Sequence, residues 1–261
     1  MMTNPLFNIE TLSLRLGGRQ IYDGFSGALP NGGLTGIVGP NGCGKSTLLR
    51  CLAGVQQPDS GRIVFQGYPL AELAAVERAQ FMAYLPQNPP LVPDMSVAGL
   101  VAKGRTPWRK AFRPLSDTDH DAIESALAAT GLSDLRATRL GALSGGQRQR
   151  VWLALALAQD TPVILLDEPT AFLDLQHQLS LLRLLRQLAD EQGRSIVMVL
   201  HELTLAGRFC DHLLGLRDGR LVCAGQAEQA ITPQTVAALY DLQADVANDP
   251  IFGKPVVFPR E

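Results

Sequence analysis

Hydrophobic residues along the chain fall into two patterns. Short unbroken apolar runs, of which Val163, Ile164, Leu165 and Leu166 form the clearest, predict strands buried on both faces, as in a parallel sheet. Comparable runs predict strands over residues 34–38, 62–65, 81–85, 195–200 and 213–216, and Asp218-Gly219 predicts a tight turn into a hairpin strand over 220–224. The second pattern has helical spacing. Leu181, Leu182, Leu184, Leu185 and Leu188 share roughly one face of a segment spanning 175–192, which reads as core packing rather than function. Helices are also predicted over 117–131 and 145–158, and over 46–52 directly behind the first strand and a glycine-rich turn at 39–44. No strand is predicted between 89 and 158, so that stretch reads as a helical insertion. After Gln226 the pattern gives short helices and then a Pro/Gly-punctuated end over 248–259. The fold class is α/β, with no internal repeat.

Composition narrows the possible roles. With 261 residues, of which 46% are hydrophobic and 18% charged, the chain can bury a substantial core. A net charge of -2 gives no broad attraction to nucleic acid or anionic lipid, so neither is an expected partner. Cys43, Cys51, Cys210 and Cys223 are scattered without metal-ligand spacing, which predicts neither a zinc site nor a disulfide framework and fits a reducing cytoplasm. The first ten residues carry no basic-then-apolar leader, and no apolar run approaches the roughly 18 residues needed to cross a bilayer. Work at a membrane would require another chain to span it.

Three motifs carry chemistry. Gly39-Pro40-Asn41-Gly42-Cys43-Gly44-Lys45-Ser46-Thr47 fits the phosphate-loop pattern GxxxxGK[ST], placed between a strand and a helix. Its glycines let backbone N–H groups turn inward around an anion, Lys45 can reach the β- and γ-phosphates, and the Ser46 hydroxyl can ligand Mg²⁺. Asp167 and Glu168 end the apolar strand at 163–166; Asp167 suits the Mg²⁺ shell, and Glu168 suits a general base that polarises the attacking water. Leu143-Ser144-Gly145-Gly146-Gln147 is a second glycine-rich helix start, about a hundred residues after the first. Each motif alone has a bland reading: a glycine turn, a solvated acidic pair, a capped helix.

Together these motifs resemble the ATPase subunits of ABC transporters, and the likeness extends from Leu12 to Pro259. The resemblance implies a single domain over 1–261. It would comprise a RecA-like P-loop NTPase core with an antiparallel β subdomain over 6–88 and 159–225, a helical signature subdomain over 89–158, and a tail over 226–261 packing on the core. It implies ATP and Mg²⁺ as cofactors and a head-to-tail homodimer sandwiching two ATP molecules. Ser144, Gly145, Gly146 and Gln147 of one copy would then face the phosphate held by Lys45 of the other. Gln87 matches a glutamine that contacts Mg²⁺ and the attacking water, Asp174 in Phe172-Leu173-Asp174 a loop linking the two sites, and His201 a histidine that senses the γ-phosphate. Two transmembrane permease subunits, an external substrate-binding protein and a location on the cytoplasmic membrane face are implied partners and place.

This sequence departs from the family pattern at three points. The aromatic residue that usually stacks on adenine falls near Leu16, which is aliphatic, leaving apolar contact or Arg15 to hold the base. Glu202 follows His201 where aspartate is usual. Cys43 stands in the loop where serine is common, which predicts inhibition by a thiol reagent. Gly104-Arg105-Thr106-Pro107-Trp108, Leu157-Ala158-Gln159, residues 173–178, Asn248-Asp249-Pro250 and Gly253-Lys254-Pro255 resemble importers of ferric siderophores, ferric dicitrate, haem and cobalamin. Iron-chelate import is the reading taken, with haem or cobalamin import, export, a non-transport ABC ATPase and a non-hydrolysing regulatory module as alternatives.

Overall fold

The computed structural model describes residues 5–110, 113–171 and 173–260; Phe172 of the linking loop and Met1 to Asn4 lie outside the described residues. Strands β1 (Phe7–Leu16) and β2 (Arg19–Leu29) form a hairpin closed by Gly17 and Gly18, both at positive φ (56° and 81°), the backbone form whose twist matches the flanking strands. Strand β3 (Gly33–Val38) runs into the loop and helix α1 (Lys45–Leu52). Strands β4 (Ser60–Phe65) and β5 (Tyr68–Pro69) then complete an antiparallel sheet of order β2-β1-β4-β5. Helix α2 (Ala75–Phe81) precedes β6 (Met82–Leu85), so Phe81, predicted to open that strand, instead ends a helix.

Helices α3 (Val97–Val101), α4 (Asp117–Ala129) and α5 (Gly145–Ala158) follow. Buried Arg105 ties this region together: its Nε donates to Asp119 Oδ1 at 2.7 Å and its Nη1 to the Ala158 carbonyl at 2.9 Å. The chain then alternates β7 (Val163–Leu166), α6 (Leu175–Gln192), β8 (Ser195–Val199), α7 (Leu203–Phe209), β9 (His212–Arg217) and β10 (Arg220–Gln226). These strands join β3 and β6 in a six-stranded sheet of order β10-β9-β3-β8-β7-β6, parallel except for β10. The leucine stripe of α6 faces the core: Leu181, Leu182, Leu185 and Leu188 are buried, and Leu184 packs partly buried beside them.

Helices α8 (Ala227–Ala230) and α9 (Pro233–Tyr240) bear out the short helices expected after Gln226. The punctuated end is not irregular, however. It pairs β11 (Ala244–Asn248) with β12 (Pro255–Pro259), and β12 packs against α7. One hydrophobic cluster fills the helical side of the parallel sheet, and a second lies between the antiparallel sheet, α1 and the other face of the parallel sheet.

Candidate functional site

Parallel pairing sets the carboxyl ends of β3, β8, β7 and β6 side by side, the edge at which open α/β sheets hold their ligands. The phosphate loop follows β3, His201 follows β8, Asp167 and Glu168 follow β7, and Gln87 follows β6. Residues separated by more than 150 positions therefore share one ledge.

Gly39 turns the chain at φ 144°, where a Cβ would lie 2.0 Å from the Leu216 carbonyl oxygen, so no other residue fits that approach. Pro40, Asn41, Gly42 and Cys43 carry the loop round to Gly44, the N-cap of α1. No side chain caps that helix, which leaves its first N–H groups and positive end available to an anion. Lys45 is 5% exposed, and its Nζ donates to the carbonyls of Gly39 and Pro40, each at 2.8 Å. Burial pulls its ammonium below the ordinary lysine range.

On the first turn of α1, with Thr47 beside it, the Ser46 hydroxyl donates to Asp167 Oδ1 at 2.7 Å. Asp167 is 1% exposed, its other carboxylate oxygen is buried without a partner, and burial pushes its carboxyl up. An orphaned carboxylate oxygen next to a hydroxyl is a donor set that a hard divalent cation fits. Glu168 has its own surroundings. Gln87 Nε2 donates to its Oε2 at 2.6 Å, and His201 Nε2 lies 2.8 Å from its Oε1. Its backbone sits at φ 52°, a region that non-glycine residues occupy at a cost of order 1 kcal/mol or more.

Ser144, Gly145, Gly146 and Gln147 form a capping box on α5: Ser144 Oγ accepts the Gln147 N–H at 3.2 Å, and Gln147 Oε1 accepts the Ser144 N–H at 2.9 Å. Asp174 caps α6, accepting the His177 N–H at 2.9 Å, and that bond holds its carboxyl below the usual range. Among the described residues no hydrogen bond joins either cap to the ledge of Lys45, Ser46, Gln87, Asp167, Glu168 and His201. The structure thus gathers six of the expected residues, while the signature and Asp174 cap their own helices without bonding to that ledge.

Cys43 corrects an expectation. It is 4% exposed within the second hydrophobic cluster, and burial raises its thiol, so a reagent that needs an accessible thiolate does not find one. Glu202 is the N-cap of α7 and makes no capping bond. Sequence reasoning missed Tyr22, a 1% exposed residue of β2 whose hydroxyl donates to the Gly44 carbonyl at 2.9 Å. An aromatic at a buried strand position was its only local signal.

The ABC transporter family profile matches residues 22–171. Over 251 residues the chain is 43% identical to the "Probable siderophore transport system ATP-binding protein YusV" of Bacillus subtilis (strain 168), covering 96% of this chain and 91% of that one. It is 40% identical over 250 residues to the ferric enterobactin transport ATP-binding protein FepC of Escherichia coli (strain K12), covering 96% and 92%. A metal-chelate type ABC transporter solved in an inward-facing conformation superimposes with a TM-score of 0.84 at 28% identity, covering 99% of this chain and 98% of that one. With the profile spanning more than half of its length and these relatives aligned nearly end to end, the chain belongs to the ABC transporter family as an ATP-binding, ATP-hydrolysing subunit.

Proposed function

We propose that this chain powers uptake of an iron chelate of the ferric-siderophore or ferric-citrate type, working as a homodimer on the cytoplasmic face of a membrane beneath two separate permease subunits. A substrate-binding protein would deliver the chelate to those permeases. The relatives' names support the substrate class. Among the described residues no helix is long and apolar enough to cross a membrane, which is consistent with separate permeases.

In this reading the backbone N–H groups of residues 41–47 and Lys45 bind the triphosphate, while Ser46 and Asp167, with Gln87 near, would hold Mg²⁺, which would neutralise charge on the phosphates. Glu168 takes a proton from the attacking water, and His201 orients that carboxylate and reports on the γ-phosphate. Ser144 to Gln147 of a second copy close over the nucleotide, and Asp174 couples the two sites.

One observation carries the mechanism: Glu168 sits between Gln87 and His201, immediately after the Ser46-bonded Asp167. Glu168→Gln keeps the shape and removes the base. The variant is expected to bind ATP as wild type does, to lose hydrolysis by at least about a hundredfold, and to accumulate as a nucleotide-bound dimer. Wild-type turnover by that variant would end the assignment. Transport by the reconstituted complex of ferric chelates but not haem or cobalamin checks the substrate class.

A further inference from the structure

A nucleotide held by its phosphates at residues 39–47 must place its base beyond the loop's rim, and that rim borders the β1–β2 hairpin. The two residues that the sequence offered for the base are both engaged. Leu16 is partly buried and packs into the second hydrophobic cluster. Arg15 donates from Nε to Gln20 Oε1, and its backbone N–H donates to Asp59 at 2.7 Å.

Arg19 differs from both. It pairs across the hairpin with Leu16, is exposed, and has no hydrogen-bond or ion-pair partner among the described residues. It lines a cavity of about 100 Å³ with Ile21, Gly42, Cys43 and Asp218, so one wall of that cavity is the phosphate loop itself. Gly42 stands at φ 74°, and nothing lies within 4 Å of where its Cβ would be, which leaves bare backbone open to a flat group. The Asp218 side chain, 81% exposed and 3.7 Å from Arg217 Nε, adds a carboxylate to the lining. A phosphate there would meet that carboxylate, whereas an uncharged planar ring would not. A guanidinium is flat and weakly hydrated, and it favours the face of an aromatic system.

We propose that Arg19 is the base-binding residue of this chain, its guanidinium stacking on the face of the purine while Ile21 supplies an apolar edge. This rests on the reading of residues 39–47 as the triphosphate site. Stacking reads a ring's face and not its hydrogen-bonding edge, so adenine and guanine nucleotides are held about equally well.

The test is calorimetric titration of the full chain with ATP, GTP and inorganic tripolyphosphate, each with Mg²⁺. Arg19→Ala is expected to weaken ATP and GTP alike by about tenfold and to leave tripolyphosphate unchanged, which also shows that the variant is folded. Arg19→Lys, which keeps the charge but not the plane, is expected to recover only part of the loss. An equal loss for tripolyphosphate would make Arg19 a phosphate ligand and overturn the proposal, as would unchanged nucleotide affinity in Arg19→Ala. Wild-type chain that binds neither ATP nor tripolyphosphate would instead sink the triphosphate reading, and this inference with it.

Discussion

Replacing Tyr22 with phenylalanine removes one hydrogen bond beneath the phosphate loop and little else. The ring stays in place, since its contact with Phe25, centroids 5.0 Å apart, does not involve the hydroxyl. Burial pushes the phenol well above its ordinary range, so it is a donor at any pH the fold tolerates. Its acceptor, the Gly44 carbonyl, also receives the Leu48 N–H at 2.8 Å and is not orphaned by the change. The cost is therefore that of an ordinary buried hydrogen bond, about 1 kcal/mol. For 261 residues, an unfolding entropy of about 2.1 cal/mol/K per residue gives about 0.55 kcal/mol/K, so the melting temperature should fall by about 2 °C.

Nucleotide affinity sets the second bound. Gly44 is the N-cap of α1 at φ 109°, and a Cβ there would lie 2.6 Å from the Tyr22 hydroxyl, so the contact bears on the shape of the loop. If all of the lost energy went into misplacing the loop, affinity would fall by about fivefold. Differential scanning fluorimetry without ligand and calorimetry with MgATP measure the two quantities separately. A melting temperature lower by 8 °C or more, or affinity lower by fiftyfold or more, would refute the single-bond account. No change in either would show that the bond does not form.

The Arg105 guanidinium holds the Asp119 carboxyl at about 2, below its ordinary 3.8. A depressed carboxylate contributes stability above its unfolded pKa and loses it as pH falls toward the folded one, so about 2 kcal/mol is present near neutrality and roughly half remains at pH 3. Urea unfolding of wild type and Asp119→Asn should show a gap that narrows between pH 5 and pH 3, and a gap constant over that range would refute the pairing. For Cys43, the buried thiol predicts no modification in the folded chain at neutral pH and full modification in denaturant, read by mass spectrometry; rapid labelling of folded protein would contradict its packing. Cys43→Ser should keep ATP affinity within about twofold, because the loop acts through its backbone N–H groups.

What was legible in the sequence is what neighbouring residues decide. The strand Val163–Leu166, the helix Leu175–Gln192 and the helix Gly145–Ala158 have the bounds that their apolar spacing gave, because runs buried on both faces and stripes on one face are local signals. Strand β1 does alternate, with Phe7, Ile9, Leu12 and Leu14 buried, but the phase slips at Thr11, where φ is 47°, and its pairing with β2 shifts register three times, so no uninterrupted run marks it. The β11–β12 hairpin was illegible for another reason. Pro255 and Pro259 bound β12, which argues against a strand, and the pair is held by packing on α7, where Gly207 admits Pro255: a Cβ at Gly207 would lie 2.9 Å from Pro255 Cγ. Tyr22 reaching Gly44 is likewise a contact, from the antiparallel sheet to the phosphate loop, that no local window of sequence displays.

The division of labour between two adjacent carboxylates follows from backbone geometry that a sequence does not display. Asp167 ends a fully buried parallel strand and is fixed by Ser46, a residue of the loop after a different strand. If residue 168 continued in the same extended conformation, its environment would be set by the strand as well. At φ 52° the chain departs from the strand instead, and the Glu168 carboxylate meets Gln87, just beyond β6, on one side and His201, just beyond β8, on the other. Glycine would relieve the strain at this position but would bring no carboxylate. A left-handed glutamate held by hydrogen-bonding partners from two neighbouring strands persists because its surroundings over-determine it, which is the condition under which backbone strain accumulates at working sites.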